Sequence, residues 1–175
     1  MPIATGFQTI GPYWTLIEHP EMADLTRFGA AGEAIALAGR LTDGDGAPVA
    51  DAAVELWQAS PAASEAFPGW GRCGCDRDGR FRFTTLKPGP LPGARGTNAQ
   101  QAPHVAISIF ARGILSRLVT RAYFAGEKLN ETDPVLNLIE DPARRATLIA
   151  HPQGPGEWEI DIRLQGGRET VFMEF

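Results

Sequence analysis

Residues 102–124 read APHVAISIFARGILSRLVTRAYF, and this stretch decides the fold. Its two mostly apolar runs, residues 104–111 and 116–124, flank a short glycine-containing segment and predict two adjacent strands joined by a turn. Side chains two positions apart on a strand lie on the same face. A His-x-His pair on a strand would therefore present two imidazoles to one metal ion. Here His104 is followed two positions later by Ala106, so the first strand presents only one imidazole.

Runs with a similar alternation extend the pattern on both sides of this hairpin. In residues 80–85 two phenylalanines alternate with two arginines, which places the phenylalanines inside and the arginines outside. Further strands are predicted at residues 34–41, 52–58, 157–164 and 169–175. Aspartate- and glycine-rich turns at residues 43–46 and 76–79 separate some of these strands.

Helices are predicted to be few and short. Asp133 and Asp141 each precede a proline, and an aspartate cap followed by proline is typical of a first helical turn. Another short helix is predicted near residues 20–22. The pattern as a whole predicts a mainly β protein, a β-sandwich with a few short helices and long loops.

Length and composition predict one domain spanning residues 1–175, with residues 1–30 forming an irregular N-terminal arm. The net charge of -5 argues against a nucleic-acid partner, which requires a basic face. No apolar run approaches the roughly 20 residues that span a bilayer, and no secretory signal pattern is present, so the expected location is the cytoplasm. Cys73 and Cys75 are too few for a structural zinc site and are expected to be free thiols.

With GRFRFTTLKPGPLPGARG at residues 79–96, the hairpin resembles the intradiol ring-cleavage dioxygenases, which open catechol rings with O2 at a non-haem Fe(III). The resemblance implies an iron site of two tyrosines and two histidines. Leu91 stands where one tyrosine would follow the Pro-Gly turn, and Ala106 stands where the second histidine would be. The loop at residues 60–71, where the other tyrosine would fall, contains none. No metal ligand set and no catalytic residue are therefore expected in this chain alone.

Within that family the chain resembles a non-metal alpha-type subunit that pairs with an iron-bearing beta chain. The motifs that carry this resemblance lie at residues 9–13, 102–104, 110–114, 120–124, 133–136, 161–166 and 169–172. Their order and spacing over most of the chain make the resemblance specific. It implies cleavage of protocatechuate (3,4-dihydroxybenzoate) with O2 to 3-carboxy-cis,cis-muconate, with the Fe(III) on the beta chain. It also implies that this chain supplies part of the pocket wall and the assembly interface.

Arg121 is the sharpest candidate binding residue, because a planar guanidinium matches a carboxylate with two hydrogen bonds. The resemblance implies that Arg121 lines the substrate site and that Thr9, Gly11, Pro12 and Tyr13 of the arm help to close it. The alternative for Arg121 is structural: an ion pair with a carboxylate of the same fold, or a strand-edge position with its head in water. The alternative for the arm is a turn that anchors the N-terminus, with Tyr13 as a packed aromatic.

Two other functions remain open at this stage. The first is a self-sufficient intradiol dioxygenase for another catechol, with a rearranged iron site drawn from Tyr13, Tyr123, His19, His104 and His151; no spacing supports such a site. The second is a non-enzymatic β-sandwich binding module, which shares the composition and the turns and is opposed only by the family motifs.

Overall fold

The computed structural model describes residues 6–93 and 99–174, and within them the chain is built mainly from β-strands. The strands are β1 (Ala34–Thr42), β2 (Ala53–Trp57), β3 (Trp70–Gly74), β4 (Arg80–Leu86), β5 (Leu91–Pro92), β6 (Gln100–Gln101), β7 (His104–Phe110), β8 (Leu118–Phe124), β9 (Ile149–Gly154) and β10 (Glu157–Arg163). The expectations for residues 1–5 of the arm, for residues 94–96 of the quoted motif and for Phe175 lie outside the described residues.

The strands from β1 to β4 and from β7 to β10 form one continuous sheet in the order β3-β2-β7-β8-β9-β10-β1-β4, while β5 and β6 pair separately. Strands β3, β2, β7 and β8 are antiparallel to one another in that order. Strand β1 is antiparallel to β4 and parallel to β10. The two halves of the sheet meet at β8 and β9, where only Tyr123 and Phe124 pair in parallel with Ile149 and Ala150.

The hydrophobic core lies between the two halves of the sheet. Leu37, Phe83 and Ile160 from one half belong to the same buried cluster as Leu56 and Ile107 from the other half. Burying each such side chain contributes about 1.5–3 kcal/mol of stability. Strand β4 has the predicted alternation, with both phenylalanines buried and both arginines exposed. The predicted mainly β sandwich is confirmed.

The strand predictions fail at five places, two of which are the unpredicted two-residue strands β5 and β6. Strands β3 and β9 were not predicted because glycine, proline and polar residues interrupt their apolar alternation, and the ladders of β2, β8 and β10 hold them in the sheet. The strand predicted at residues 169–175 is wrong. Residues 169–174 lie beside β8 through isolated hydrogen bonds, from Met173 N to Val119 O and from Thr120 Oγ1 to Val171 O, and form no ladder.

The prediction of a short capped helix holds at Asp141 and holds in part at Asp133, whose Oδ1 accepts hydrogen bonds from Val135 N and Leu136 N. Helix α1 (Pro142–Ala146) begins after Asp141, whose Oδ1 accepts a hydrogen bond from Ala143 N at 2.8 Å. Asp133 begins no α-helix; a single 3₁₀ turn follows at Leu136–Leu138, and the carboxylate is fully buried. None of the helices in the described ranges has the length and apolar character needed to cross a membrane.

The N-terminal arm is fastened to the edge of the sheet that carries β3. It contains two 3₁₀ helices, Pro12–Ile17 and Pro20–Ala23, where one near residues 20–22 was predicted. The Trp14 indole donates a hydrogen bond to Asp51 O at 2.9 Å. The Glu18 carboxylate accepts one from Gly74 N at 2.7 Å. These bonds hold the arm across one end of β2 and β3.

Cys73 and Cys75 are free thiols, and burial is the main influence that raises the pKa of each from 9.0 to about 12. Because the thiolate is the nucleophile, we expect both to react with iodoacetamide in the folded protein at pH 8 at least roughly tenfold more slowly than in urea. Mass spectrometry of the labelled protein measures this difference in labelling rate, and rapid labelling of the native chain would contradict the prediction.

The same pKa shifts affect stability. A folded-state pKa above the unfolded value makes the fold less stable as the pH rises above 9.0 toward 12.

Candidate functional site

His104 begins strand β7 and is buried. Its Nδ1 lies 2.7 Å from Ala102 O. Since a carbonyl oxygen only accepts hydrogen bonds, Nδ1 carries the proton and Nε2 is left as an acceptor. Burial lowers the pKa of His104, and the nearby charge of Arg121 acts in the same direction, so the ring is neutral near pH 7.

The residues around His104 do not fit an Fe(III) centre. Ala106, on the same face of β7, ends in a methyl group, and Leu91, at the position where the resemblance implies a tyrosine, is likewise apolar. Arg121 stands opposite Ala106 on β8, so a cation lies where a metal ion needs anionic ligands. Within residues 6–93 and 99–174, His, Cys, Asp and Glu nowhere cluster in groups of three or more that could hold a metal.

The tyrosines do not complete an iron site either. Tyr123 is fully buried, and its hydroxyl is held between Arg121 and Asp133. Tyr13 lies on the N-terminal arm and is 76% exposed. The alternative that Tyr13 packs as an aromatic anchor is therefore wrong for this chain.

An open cleft of about 360 Å³ lies beside His104 on the outer face of the sheet. Strand register aligns Trp57 on β2 with Ala106 on β7, and Ala106 with Arg121 on β8. The side chains that line the cleft are Trp57, His104, Ala106, Ser108, Arg117, Val119 and Arg121. The small Ala106 thus leaves space between a half-exposed indole, a neutral imidazole and a guanidinium, which is the environment of an anionic or aromatic ligand.

The Arg121 guanidinium is held on one side and open on the other. Its Nη1 donates hydrogen bonds to Gln101 Oε1 at 2.8 Å and to Tyr123 Oη at 3.1 Å. Among the described residues, no carboxylate forms an ion pair with Arg121, and its Nε and Nη2 have no hydrogen-bond partner. The structural alternative of an ion pair with this chain's own carboxylate is not found within that part of the chain.

Asp133 supports this arrangement from below the sheet surface. Its fully buried carboxylate accepts hydrogen bonds from Ala102 N at 2.7 Å, Val135 N at 2.8 Å and Leu136 N at 2.9 Å. It also accepts the Tyr123 hydroxyl at 3.3 Å. Sequence reasoning missed Asp133 as a site residue because it is 31 residues from Ala102, and its Asp-Pro dipeptide had indicated only a helix cap.

The Tyr123 hydroxyl links the carboxylate to the guanidinium. Burial raises the pKa of Tyr123 to about 12, although the Arg121 charge acts in the opposite direction. The phenol therefore keeps its proton near pH 7, donates it to Asp133 and accepts from Arg121. One signal for this link was present in the sequence, since Arg121 and Tyr123 are two positions apart on one strand and share a face.

None of the side chains that line this cleft belongs to the candidate residues of the arm. Thr9 Oγ1 donates to Ala111 O at 3.1 Å and accepts from Gly113 N at 2.8 Å, which ties the arm to the turn between β7 and β8. Ala111 directly follows β7, three residues beyond Ser108 of the cleft, so the arm meets the sheet at the end of β7 that is farther from His104. Gly11 and Pro12 lie further along the arm, Pro12 beginning its first 3₁₀ helix. The chain alone does not bring these residues and Arg121 into one pocket.

Known proteins resemble the chain in both sequence and fold. A solved dioxygenase domain of a dioxygenase–carbohydrate-binding fusion protein from Streptomyces sp. SirexAA-E superimposes with a TM-score of 0.63 at 26% identity, covering 83% of this chain and 88% of that one. The protocatechuate 3,4-dioxygenase alpha chain of Pseudomonas putida is 43% identical, over 98% of this chain and 96% of its own length.

The similarity extends to the other subunit type and to the family as a whole. The protocatechuate 3,4-dioxygenase beta chain of Burkholderia cepacia is 34% identical, over 97% of this chain and 78% of its own length. A family model described as Dioxygenase matches residues 11–166. The chain belongs to the intradiol ring-cleavage dioxygenase family.

Proposed function

We propose that this chain is the non-metal alpha subunit of a protocatechuate 3,4-dioxygenase, which opens protocatechuate with O2 to give 3-carboxy-cis,cis-muconate. The similarity to a named alpha chain over nearly the whole sequence supports this assignment. The observation that carries the assignment is the cleft in which Trp57, Ala106 and Arg121 align across three strands beside the neutral His104. This cleft suits an aromatic ring that bears an anionic group, and it does not suit an iron ion. In this proposal the Fe(III) and the ring-opening chemistry belong to the beta chain.

Arg121 binds the carboxylate of the substrate in this proposal. Protocatechuate carries that carboxylate para to one hydroxyl-bearing carbon and meta to the other, so a guanidinium can hold it without touching the bond that breaks. The open edge of Arg121 offers two or more N–H donors, and a bidentate pair fixes both the position and the orientation of an aromatic acid. The residue therefore acts in binding and orientation and transfers no proton.

The N-terminal arm contributes pocket wall and interface in this proposal. Thr9 anchors the arm at the turn between β7 and β8, and only in the assembled complex do Gly11, Pro12 and Tyr13 close the substrate pocket from the alpha side. The exposed apolar side chains of the arm support contact with a partner. They are Phe7 at 81%, Tyr13 at 76%, Leu16 at 80% and Ile17 at 63% exposure.

We further propose a cytoplasmic enzyme assembled from alpha and beta chains. Relatives of both subunit types match this chain over nearly its full length, which supports a pairing of similar folds. The two free thiols suit a reducing compartment.

Co-expression with the candidate beta chain tests the assignment directly. Iron content and O2 uptake with protocatechuate are measured on this chain alone, on the partner alone and on the co-purified pair. We expect stoichiometric iron and turnover with the pair, and neither with this chain alone. Iron and turnover in this chain alone would instead identify a self-sufficient dioxygenase, and failure of the two chains to associate would favour a separate binding module.

A further inference from the structure

The hydrogen bonds below Arg121 form a chain that begins at a rigid point. Asp133 is fully buried, and three backbone N–H groups fix its carboxylate at 2.7 to 2.9 Å. A side chain held in this way has little freedom to rotate, because each alternative rotamer would leave buried donors without a partner. Asp133 therefore offers a fixed acceptor to the Tyr123 hydroxyl, 3.3 Å away.

The Tyr123 hydroxyl, oriented by Asp133, in turn orients the guanidinium of Arg121. Its phenol proton points toward Asp133, which directs an oxygen lone pair toward Arg121 Nη1 at 3.1 Å. The amide oxygen of Gln101 accepts from the same Nη1 at 2.8 Å. Two acceptors on one nitrogen define the plane and the rotation of the guanidinium, while Nε and Nη2 remain available within the described part of the chain.

We propose that Tyr123, supported by Asp133, and Gln101 are positioning residues that hold Arg121 in the orientation needed to bind the substrate carboxylate. The inference rests on the proposed role of Arg121. Arginine has many rotamers, and a guanidinium that is already oriented loses less freedom when the ligand binds. Neither positioning residue touches the substrate; each acts through Arg121.

The test uses Tyr123→Phe in the co-purified alpha–beta complex. Phenylalanine retains the buried ring, and the three backbone hydrogen bonds to Asp133 remain, so the fold is preserved. We expect the KM for protocatechuate to rise about fivefold while kcat changes less than about twofold. For 4-methylcatechol, which lacks the carboxylate and is measured as a substrate or a competitive inhibitor, we expect no change in the KM or the inhibition constant.

A double-mutant cycle separates positioning from a structural effect. Adding Tyr123→Phe to Arg121→Ala is expected to cause no further rise in KM, because the residue through which Tyr123 acts is already gone. Gln101→Leu, at a half-buried position, is expected to raise the KM for protocatechuate selectively as well, and it tests the proposal even if Tyr123→Phe is unstable. Thr120→Val is the matched control, because it removes a hydrogen bond of a buried hydroxyl on the same strand, and that hydroxyl bonds to Val171 O and not to Arg121.

The outcomes distinguish the positioning role of Tyr123 and Gln101 from the carboxylate-binding role of Arg121. If Arg121→Ala raises the KM while Tyr123→Phe and Gln101→Leu match wild type, the positioning role is overturned and the function of Arg121 stands. If Tyr123→Phe raises the KM for both ligands, or still raises it in the Arg121→Ala background, Tyr123 is structural and the proposal fails. If Arg121→Ala itself matches wild type, the proposed carboxylate-binding role of Arg121 fails first.

Discussion

Replacing Arg121 with alanine in the assembled alpha–beta complex is expected to raise the KM for protocatechuate roughly tenfold to 100-fold. A hydrogen bond to a charged group contributes about 1.5–3 kcal/mol, and each 1.4 kcal/mol corresponds to about a tenfold change in affinity. Because Arg121 binds the carboxylate and not the reacting diol, kcat and iron content are expected to stay near wild type. Steady-state O2 uptake and metal analysis of the same preparation measure all three quantities.

Two further variants make this experiment specific. Arg121→Lys keeps the charge but loses the planar fork, so we expect a KM between those of wild type and Arg121→Ala. Arg82→Ala removes an exposed arginine from the other half of the sheet, where it pairs with Glu157 at 2.8 Å, and should leave the KM within about twofold of wild type. A KM for Arg121→Ala no higher than that of Arg82→Ala would contradict the proposed role.

Replacing Asp133 with alanine is expected to destabilise the fold by about 3–5 kcal/mol. The substitution leaves the backbone N–H groups of Ala102, Val135 and Leu136 and the hydroxyl of Tyr123 without their buried acceptor. Each unsatisfied buried donor costs about 1–3 kcal/mol, and relaxation of the neighbouring turn recovers part of the sum. At about 2–4 °C per kcal/mol for a chain of this size, Tm should fall by roughly 10 °C.

Asp141→Ala is the matched control for that measurement. Asp141 also precedes a proline and also accepts a backbone hydrogen bond, from Ala143 N at 2.8 Å, but it is exposed. Removing such a cap costs about 1 kcal/mol. Thermal melting of the co-purified complexes at one protein concentration compares the two variants. Equal Tm values for Asp133→Ala and Asp141→Ala would contradict the role of Asp133 as the buried acceptor of several hydrogen bonds.

The features that could be predicted from sequence are those set by local chemistry. The alternation in β4 predicted which phenylalanines are buried, because side chains alternate across a strand whatever surrounds it. The cap at Asp141 was predicted because the bond to Ala143 N spans two residues. The family resemblance implies a second histidine at position 106, and strand periodicity places Ala106 on the same face as His104.

The features that were missed depend on neighbours distant in sequence. Strand β3 has little apolar periodicity of its own and is held in the sheet by its register with β2. Residues 169–174 have an apolar pattern resembling a strand, yet their backbone bonds to β8 are isolated. Asp133 does accept the predicted cap-type bonds from Val135 N and Leu136 N, but only the fold brings it to Ala102 and Tyr123 as well.

The sequence by itself therefore determined the mainly β architecture, the intradiol dioxygenase resemblance, the loss of three of the four expected iron ligands and the candidacy of Arg121. The tertiary structure decided how Arg121 is held, by Gln101 and by Tyr123 on a buried Asp133, and it fastened Thr9 of the arm to the turn between β7 and β8. The division has a physical reason. Periodicity and residue type act over a few neighbouring positions, whereas a buried hydrogen-bond network forms only after chain segments tens of residues apart have packed together.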